Sequence, residues 1–337
     1  MTRASDLAKL LTGGRTLGGT GEVIVKDIDT ADGSSPKITL QTGDTDIASA
    51  DVLGTIDFQA PDEGTGTDAI LVAAGIEAVS EGDFSSSSNA TSLVLKTGAS
   101  EAATEKVRVQ SDGKVGISNT SPVELLTIGS TSLSASRIQF LTSTSGANTI
   151  HFGDGTSADA YRGYINYAHG TDSLELATSG NLGLKIDANG HVTKPLQPAF
   201  SATPLTGASA QSNLSTGSDV TIVLGNEIFD VNGDFASNTF TAPVTGKYHL
   251  SANIALNHLD MDASSCRIEI KTSNRSYTNN IDPDAFNEDA DIITLSLTVV
   301  ADMDASDTAI VIYYQDGGSA QTDVMKAETS FSGCLLA

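Results

Sequence analysis

Apolar residues in this chain come in short runs that alternate with polar ones. Ile38-Thr39-Leu40, Thr55-Ile56-Asp57-Phe58, Leu93-Val94-Leu95, Val107-Arg108-Val109, Ile268-Glu269-Ile270 and Leu295-Ser296-Leu297 each put alternate side chains on one face, the period of a half-buried strand. Gly, Ser, Thr, Asn and Asp are plentiful between the runs, as tight turns require. The pattern predicts an all-β chain with one exception at its start. There Ser5 can cap a short N-terminal helix through Leu7, Leu10 and Leu11 that Gly13-Gly14 stops. About two turns of helix are not stable alone, so this segment needs a partner surface.

A diverged repeat organises the middle. Gly54-Thr55-Ile56-Asp57-Phe58, Ser92 to Thr97 and Lys106 to Val115 recur as Gly163-Tyr164-Ile165-Asn166-Tyr167, Ser173 to Thr178 and Gly183 to Val192. Each copy reads as a set of strands closed by a hairpin, Asp112-Gly113 in one and Asn189-Gly190 in the other, with positive φ expected at both central turn residues. The first copy carries an insertion from about Pro61 to Ala90 that includes Ser85-Ser86-Ser87-Ser88. Units this small bury too little surface singly, so they are expected to stack or intertwine along an axis.

Lys194-Pro195-Leu196-Gln197-Pro198 breaks the pattern, because two prolines so close cannot donate ladder hydrogen bonds. Beyond it, strands are expected at Ala199 to Ala202, Val220 to Leu224, Glu227 to Val231, Thr239 to Thr241, Lys247 to Leu256, Ser265 to Thr272, Ile292 to Val300, Thr308 to Tyr314 and Thr329 to Leu335.

Composition excludes whole classes of function. The net charge is -24, from 42 acidic and 18 basic side chains, a field that repels nucleic acid. No apolar run is long enough to cross a bilayer, so no membrane insertion is expected. Met1 to Leu11 lacks the basic start and apolar core of a cleaved secretory signal. Two cysteines, Cys266 and Cys334, are too few for a disulfide framework and read as free thiols in the core.

Catalytic signals are weak. His151, His169, His191, His249 and His258 stand apart, without the spacing that puts two ligands on one metal. There is no nucleophile elbow and no Walker loop. Acidic stretches at Asp27, Asp29 and Asp32-Gly33, at Asp230 to Asp234, and at Asp282, Asp284, Glu288, Asp289 and Asp291 invite a hard cation. None has the twelve-residue loop closed by a bidentate Glu, and they read as solvated acidic turns. A polysaccharide-cleaving carboxylate pair, roughly 5–10 Å apart, would find abundant acids here. Aromatics are only 5% of the chain, however, and tryptophan is absent, leaving few stacking platforms for sugar. The chain is therefore read as no enzyme, with no catalytic, cofactor-binding or metal-binding residue nominated and no cofactor.

Two segments resemble known families. Asp112-Gly113-Lys114-Val115-Gly116-Ile117-Ser118-Asn119 through Pro122 to Leu126-Thr127-Ile128 resembles a segment of phage tail fibres and related trimeric appendages. There it is shaft material, and its usual third glycine is Ser118 here. The likeness is close over about 90 to 130 and loose over 36 to 195. Phe240-Thr241-Ala242-Pro243-Val244-Thr245-Gly246-Lys247-Tyr248, with the closing Phe331-Ser332-Gly333-Cys334-Leu335-Leu336, resembles the C1q/TNF-like jelly roll, normally an obligate trimer.

Together the resemblances imply a repeat-containing trimeric fibre shaft with a C-terminal C1q-like jelly roll. They divide the chain into an N-terminal virion-attachment segment (1–35), a first β shaft unit (36–128), a second (129–195) and a jelly-roll tip (196–337). Phe240, Tyr248 and Phe331 are expected to be buried, Phe331 on a central strand. The implied function is that of a phage virion structural protein, a homotrimeric tail fibre. Its N-terminus would meet other virion proteins and its tip a host-surface glycan or protein. A capsid-bound head fibre or decoration trimer, or a bacterial C1q-like adhesion protein, are the alternatives.

Overall fold

A computed structural model describes residues 25, 32–33, 35–59, 70–205 and 209–337. The helix expected at Ser5 to Leu11 lies outside the described residues. Among those described there is no α-helix, and everything regular is β apart from 3-10 turns such as Ser157–Tyr161 and Pro283–Ala285. The chain divides into two compact units, Met1–Gln139 and Phe140–Ala337.

The first unit holds one six-stranded sheet in chain order: β1 (Val52–Gln59), β2 (Val72–Ser80), β3 (Thr91–Thr97), β4 (Thr104–Val109), β5 (Val115–Ile117) and β6 (Leu126–Ile128). All neighbours are antiparallel except β5 and β6, which are parallel. Register places Ile56, Ile76, Leu95, Val107, Ile117 and Ile128 in one continuous row across the six strands. A second row on the same face runs Gly54, Ala78, Leu93, Val109, Val115 and Leu126. The opposite face is polar, with Lys96 paired to Glu77 and Arg108 held by both oxygens of Glu105. Glu81 accepts from the Ser92 hydroxyl and from both the hydroxyl and the backbone N–H of Ser111. Burial works against its charge, but these donors hold its carboxyl below the usual range.

The second unit begins with a five-stranded sheet: β7 (Ala147–Phe152), β8 (Gly163–Ala168), β9 (Ser173–Thr178), β10 (Asn181–Ile186) and β11 (Val192–Thr193). Here Ile150, Ile165, Leu176 and Leu184 form the apolar row. The other face carries a ladder in which Thr149 donates to Asn166, Asn166 to Glu175, and Lys185 to Glu175. The Asn166 and Lys185 donors keep the Glu175 carboxyl low.

Register also differs from the alignment expected for the diverged repeat. Ile56 opposite Ile76 opposite Leu95 matches Ile150 opposite Ile165 opposite Leu176. Thr55-Ile56-Asp57-Phe58 therefore corresponds to Thr149-Ile150-His151-Phe152, and Gly163 to Tyr167 corresponds to β2. The expected insertion from Pro61 to Ala90 contains that strand. Both hairpin turns differ from the expected type. At each, only the glycine has positive φ, Gly113 at 85° and Gly190 at 84°, and its N–H closes onto Gln110 or Asp187, a type I turn followed by a left-handed residue. Ser118 sits at φ 55°, a left-handed conformation that glycine adopts most readily.

Beyond the linker the chain forms a two-sheet sandwich. One sheet contains β12 (Ala199–Thr203), β13 (Ser209–Gln211), β15 (Asn226–Val231), β18 (Gly246–Leu259), β21 (Ala290–Met303), β23 (Asp323–Met325) and β24 (Ser330–Leu335). The other contains β14 (Val220–Thr221), β16 (Phe235–Ala236), β17 (Thr239–Thr241), β19 (Ala263–Thr272), β20 (Ser276–Ile281) and β22 (Thr308–Gly317). All pairs are antiparallel. The chain crosses between the sheets from β13 to β14, β14 to β15, β15 to β16, β17 to β18, β18 to β19, β20 to β21, β21 to β22 and β22 to β23, while the first and last strands of the sandwich, β12 and β24, lie side by side. This strand order is a jelly roll.

The core belongs almost entirely to this sandwich. Among the described residues, Val94, Ala103, Pro122, Ala177 and Pro198 are the buried apolar side chains that precede Phe200. Phe200 stacks on Phe235 and Phe240 at 5.0 and 4.7 Å and meets Phe331 edge-on at 5.0 Å. Phe240 also packs on Tyr248, whose hydroxyl donates to the Val244 carbonyl. Phe240, Tyr248 and Phe331 are fully buried, and Phe331 sits on β24 between β18 and β12. Gly333 follows because a Cβ there would stand 2.6 Å from Leu250 Cδ2 and 2.8 Å from Phe200 Cε1. Cys334 points the other way and is only half-buried, on the outer face beside His249, so it is not the core thiol expected.

Truncating Phe331 to Ala removes a ring from the centre of this cluster and should destabilise the sandwich by about 3–5 kcal/mol. A chemical denaturation curve followed by circular dichroism checks it, and an unchanged midpoint would contradict the assignment.

Candidate functional site

Register fixes which end of the sandwich lies away from the linker. Tyr248 lies opposite Leu335, whose N–H donates to Pro198 O, so the linker enters at the start of β18. The end of β18 at Leu259, with the loops after it, therefore lies at the far end.

Three far-end loops are tied by two carboxylates. Asp260 is buried and accepts the N–H groups of Ser319 and Asp262. Those backbone donors, Ser319 first, hold its carboxyl below the ordinary range. Asp289 accepts the Met261 N–H at 3.0 Å and the Gln321 amide at 2.7 Å. Below them runs a buried chain of polar groups: Tyr313 and Thr322 donate to Gln315 Oε1, and Gln315 Nε2 donates to the carbonyls of Gly317 and Ser319. The loops are thus preset, which lowers the entropy cost of binding through them.

A second polar feature lies on the outer face of the β19–β22 pair. The Arg267 guanidinium sits 4.0 Å above the Tyr314 ring and reaches Asp219 at 3.2 Å, with Lys271 on the same carboxylate at 3.3 Å. Glu269, nearly buried, stands 3.6 Å from Arg267. Two cations and two carboxylates neutralise one another here.

Of the acidic stretches singled out in the sequence, the one at Asp230 serves its own backbone. Asp27 and Asp29 lie outside the described residues, and Asp32 is exposed. Asp230 accepts the N–H groups of Asp234 and Phe235, each at 3.0 Å. Burial raises the Asp234 carboxyl, whose Oδ2 is enclosed without a partner. Asp284 is likewise raised, by a hydrogen bond shared with Asp282. Among the described residues no three His, Cys, Asp or Glu side chains converge as a metal site would need. The histidines are dispersed: His151 packs on Tyr161 and Tyr164, His169 on Tyr167, His191 caps the Asp187 turn, and His258 stands 3.9 Å from Asp323. Burial pushes the Cys266 thiol up to about 12, the state of an unreactive core thiol.

Sequence reasoning missed the apolar faces that the sheets leave open. On the first sheet Ile56, Leu93, Leu95, Val109, Ile117 and Leu126 are 38–56% exposed. Their counterparts Ile150, Phe152, Ile165, Tyr167, Leu176 and Val192 are similarly open. The alternation was visible, but which runs line up into one face depends on register.

No family model and no curated protein matches the chain. Among solved structures, it is similar to the globular domain of zebrafish complement 1qA, at 21% identity and a TM-score of 0.32, over 42% of this chain and 98% of that one. Murine APRIL is similar at 10% identity and a TM-score of 0.30, over 42% and 99%.

Because the folded-state value of Asp260 lies below that of the unfolded chain, the stability it contributes is fully present above the ordinary carboxylate range. It is lost as the pH falls from that range, near pH 4, through the lower folded-state value. Asp260→Asn should cost about 1–3 kcal/mol at neutral pH and flatten the fall of the melting temperature between about pH 5 and 3. Scanning calorimetry across that window reads both effects.

Proposed function

We propose that this chain is a non-enzymatic phage virion protein that works as a homotrimeric appendage. Residues 36–128 and 129–195 are its shaft, and the jelly roll of 196–337 is the head that meets a glycan or protein of the host surface. Residues 1–35 attach to other virion proteins. The observation that carries this reading is the contrast between a head with a closed core and two sheets that each leave an apolar face uncovered. Monomeric proteins rarely expose so wide a patch, and each of these side chains contributes about 1.5–3 kcal/mol when fully buried. Copies of the same chain cover the faces most economically, since each brings an identical face. The shaft-like segment Asp112 to Ile128 favours three copies about an axis.

The polar faces fit this arrangement. Their ion pairs and amide ladders are satisfied within one chain, as a solvent-facing surface needs. The dispersed histidines and the self-neutralised charges at Arg267 and Lys271 support binding through loops over catalysis.

Sedimentation of the full chain should give the mass of three copies. Leu95→Asp, on the apolar face, should abolish assembly, whereas Thr55→Asp on the polar face should leave it intact; a monomeric wild-type chain overturns the reading. Immunogold labelling of intact particles with antibodies to the jelly roll should mark the distal end of a tail appendage. Label on the capsid would move the protein to the head-fibre reading, and unlabelled particles would remove it from the virion.

A further inference from the structure

Two segments without regular structure precede the two sheets, and no ladder among the described residues uses either. Lys37-Ile38-Thr39-Leu40-Gln41-Thr42 leads into β1, and Arg137-Ile138-Gln139-Phe140-Leu141-Thr142 leads into β7. The sequence predicts a strand at Ile38 to Leu40, yet neither segment joins a sheet. No backbone–backbone hydrogen bond links residues 36–42 or 134–142 to another described residue. The apolar side chains are open to solvent: Ile38 is 70% exposed, Leu40 52%, Ile138 62% and Phe140 52%.

Both segments cross their own sheet at the same place. Leu40 Cβ lies 3.0 Å from where Gly54 would carry a Cβ, and it walls a groove of about 310 Å³ with Leu53, Ile56, Ile76 and Leu93. Phe140 takes the same position on the second sheet. Its carbonyl accepts from Asn148, and it walls a groove of about 230 Å³ with Ile150, Ile165, Tyr167 and Leu174. Each segment thus lies over the apolar face that assembly covers. Once covered, its N–H and C=O groups lose water, and each one left unpaired costs about 1–3 kcal/mol.

We infer that residues 36–42 and 136–142 are exchanged strands, each adding to the free edge of a sheet in a neighbouring copy of this chain. This rests on the trimeric reading above. The receiving edges are those of β1 and β7, which end their sheets with eight and six residues. Apart from Asp57 they carry no charge, and they have no proline to blunt an open edge. Main-chain pairing supplies the affinity, and the alternation of Ile38 with Leu40 and of Ile138 with Phe140 supplies the register, as in strand addition generally. Because the arrangement occurs in both copies, the three chains are interlaced twice along the shaft.

Hydrogen exchange on the assembled full-length protein, read by mass spectrometry, tests this. Amides of residues 37–42 and 137–142 should exchange at least about a thousandfold more slowly than in an unstructured chain, and that protection should vanish when the trimer is dissociated. A double variant, Thr39→Pro with Gln139→Pro, removes one donor from each segment. It should expose the amides of β1 and β7 to faster exchange and lower the dissociation temperature. An intact trimer whose segments exchange freely, or a double variant indistinguishable from wild type, overturns the exchange while leaving the trimer standing. A monomer overturns both.

Discussion

The physical constraint on which the structure turns is that a sheet has two faces and must dispose of both. The jelly roll does so internally: two sheets close on each other, and Phe200, Phe235, Phe240, Tyr248 and Phe331 fill the space between them. The sheets before residue 194 have one layer each. Their polar faces are finished within the chain, and their apolar faces are not. A single layer buries too little to offset the conformational entropy of ordering it, so these residues and the sandwich obtain stability by different routes from similar alternating sequence.

That difference bears on what the protein can do. A head with its own core can vary its loops without risk to the fold, and the far-end loops here are pinned by Asp260 and Asp289 through main-chain contacts. On the trimeric reading, a layer finished by other copies makes assembly and folding one event. Its stability depends on chain concentration in a way that of the sandwich need not.

Much of the fold was legible because period two is a strong signal wherever one face is apolar. Leu93 to Leu95, Tyr248 to Leu256 and Ile268 to Ile270 could hardly be anything else. β20, Ser276–Ile281, was not legible, because its Asn and Thr residues carry no apolar alternation and it pairs along an edge. Ile38 to Leu40 had the right pattern but no ladder, since strand propensity cannot say who the neighbour is. The two copies were matched one strand out of step because Gly54 and Gly163 look alike in sequence. What fixes their equivalence is the row of Ile and Leu across the strands. Cys334 failed for a smaller reason: next to Gly333, the inward place was already taken by a residue without a side chain. The loop cluster at Asp260 had no signature, because its carboxylates bind backbone N–H groups that no side-chain motif records.

The order of the sheets along the chain has a consequence during synthesis. The single-layer sheets leave the ribosome first, and the sandwich beyond residue 194 follows only after about 10–30 s at ordinary translation rates. If the sandwich is what gathers the copies, every new chain passes through an interval in which β1 and β7 stand open beside a bare apolar face. Open edges of that kind recruit whatever strand is near, and on a polysome the nearest strands are those of sister chains. On the trimeric reading proposed above, the surface that makes the shaft durable once three chains are wound together makes the nascent chain hazardous before they meet.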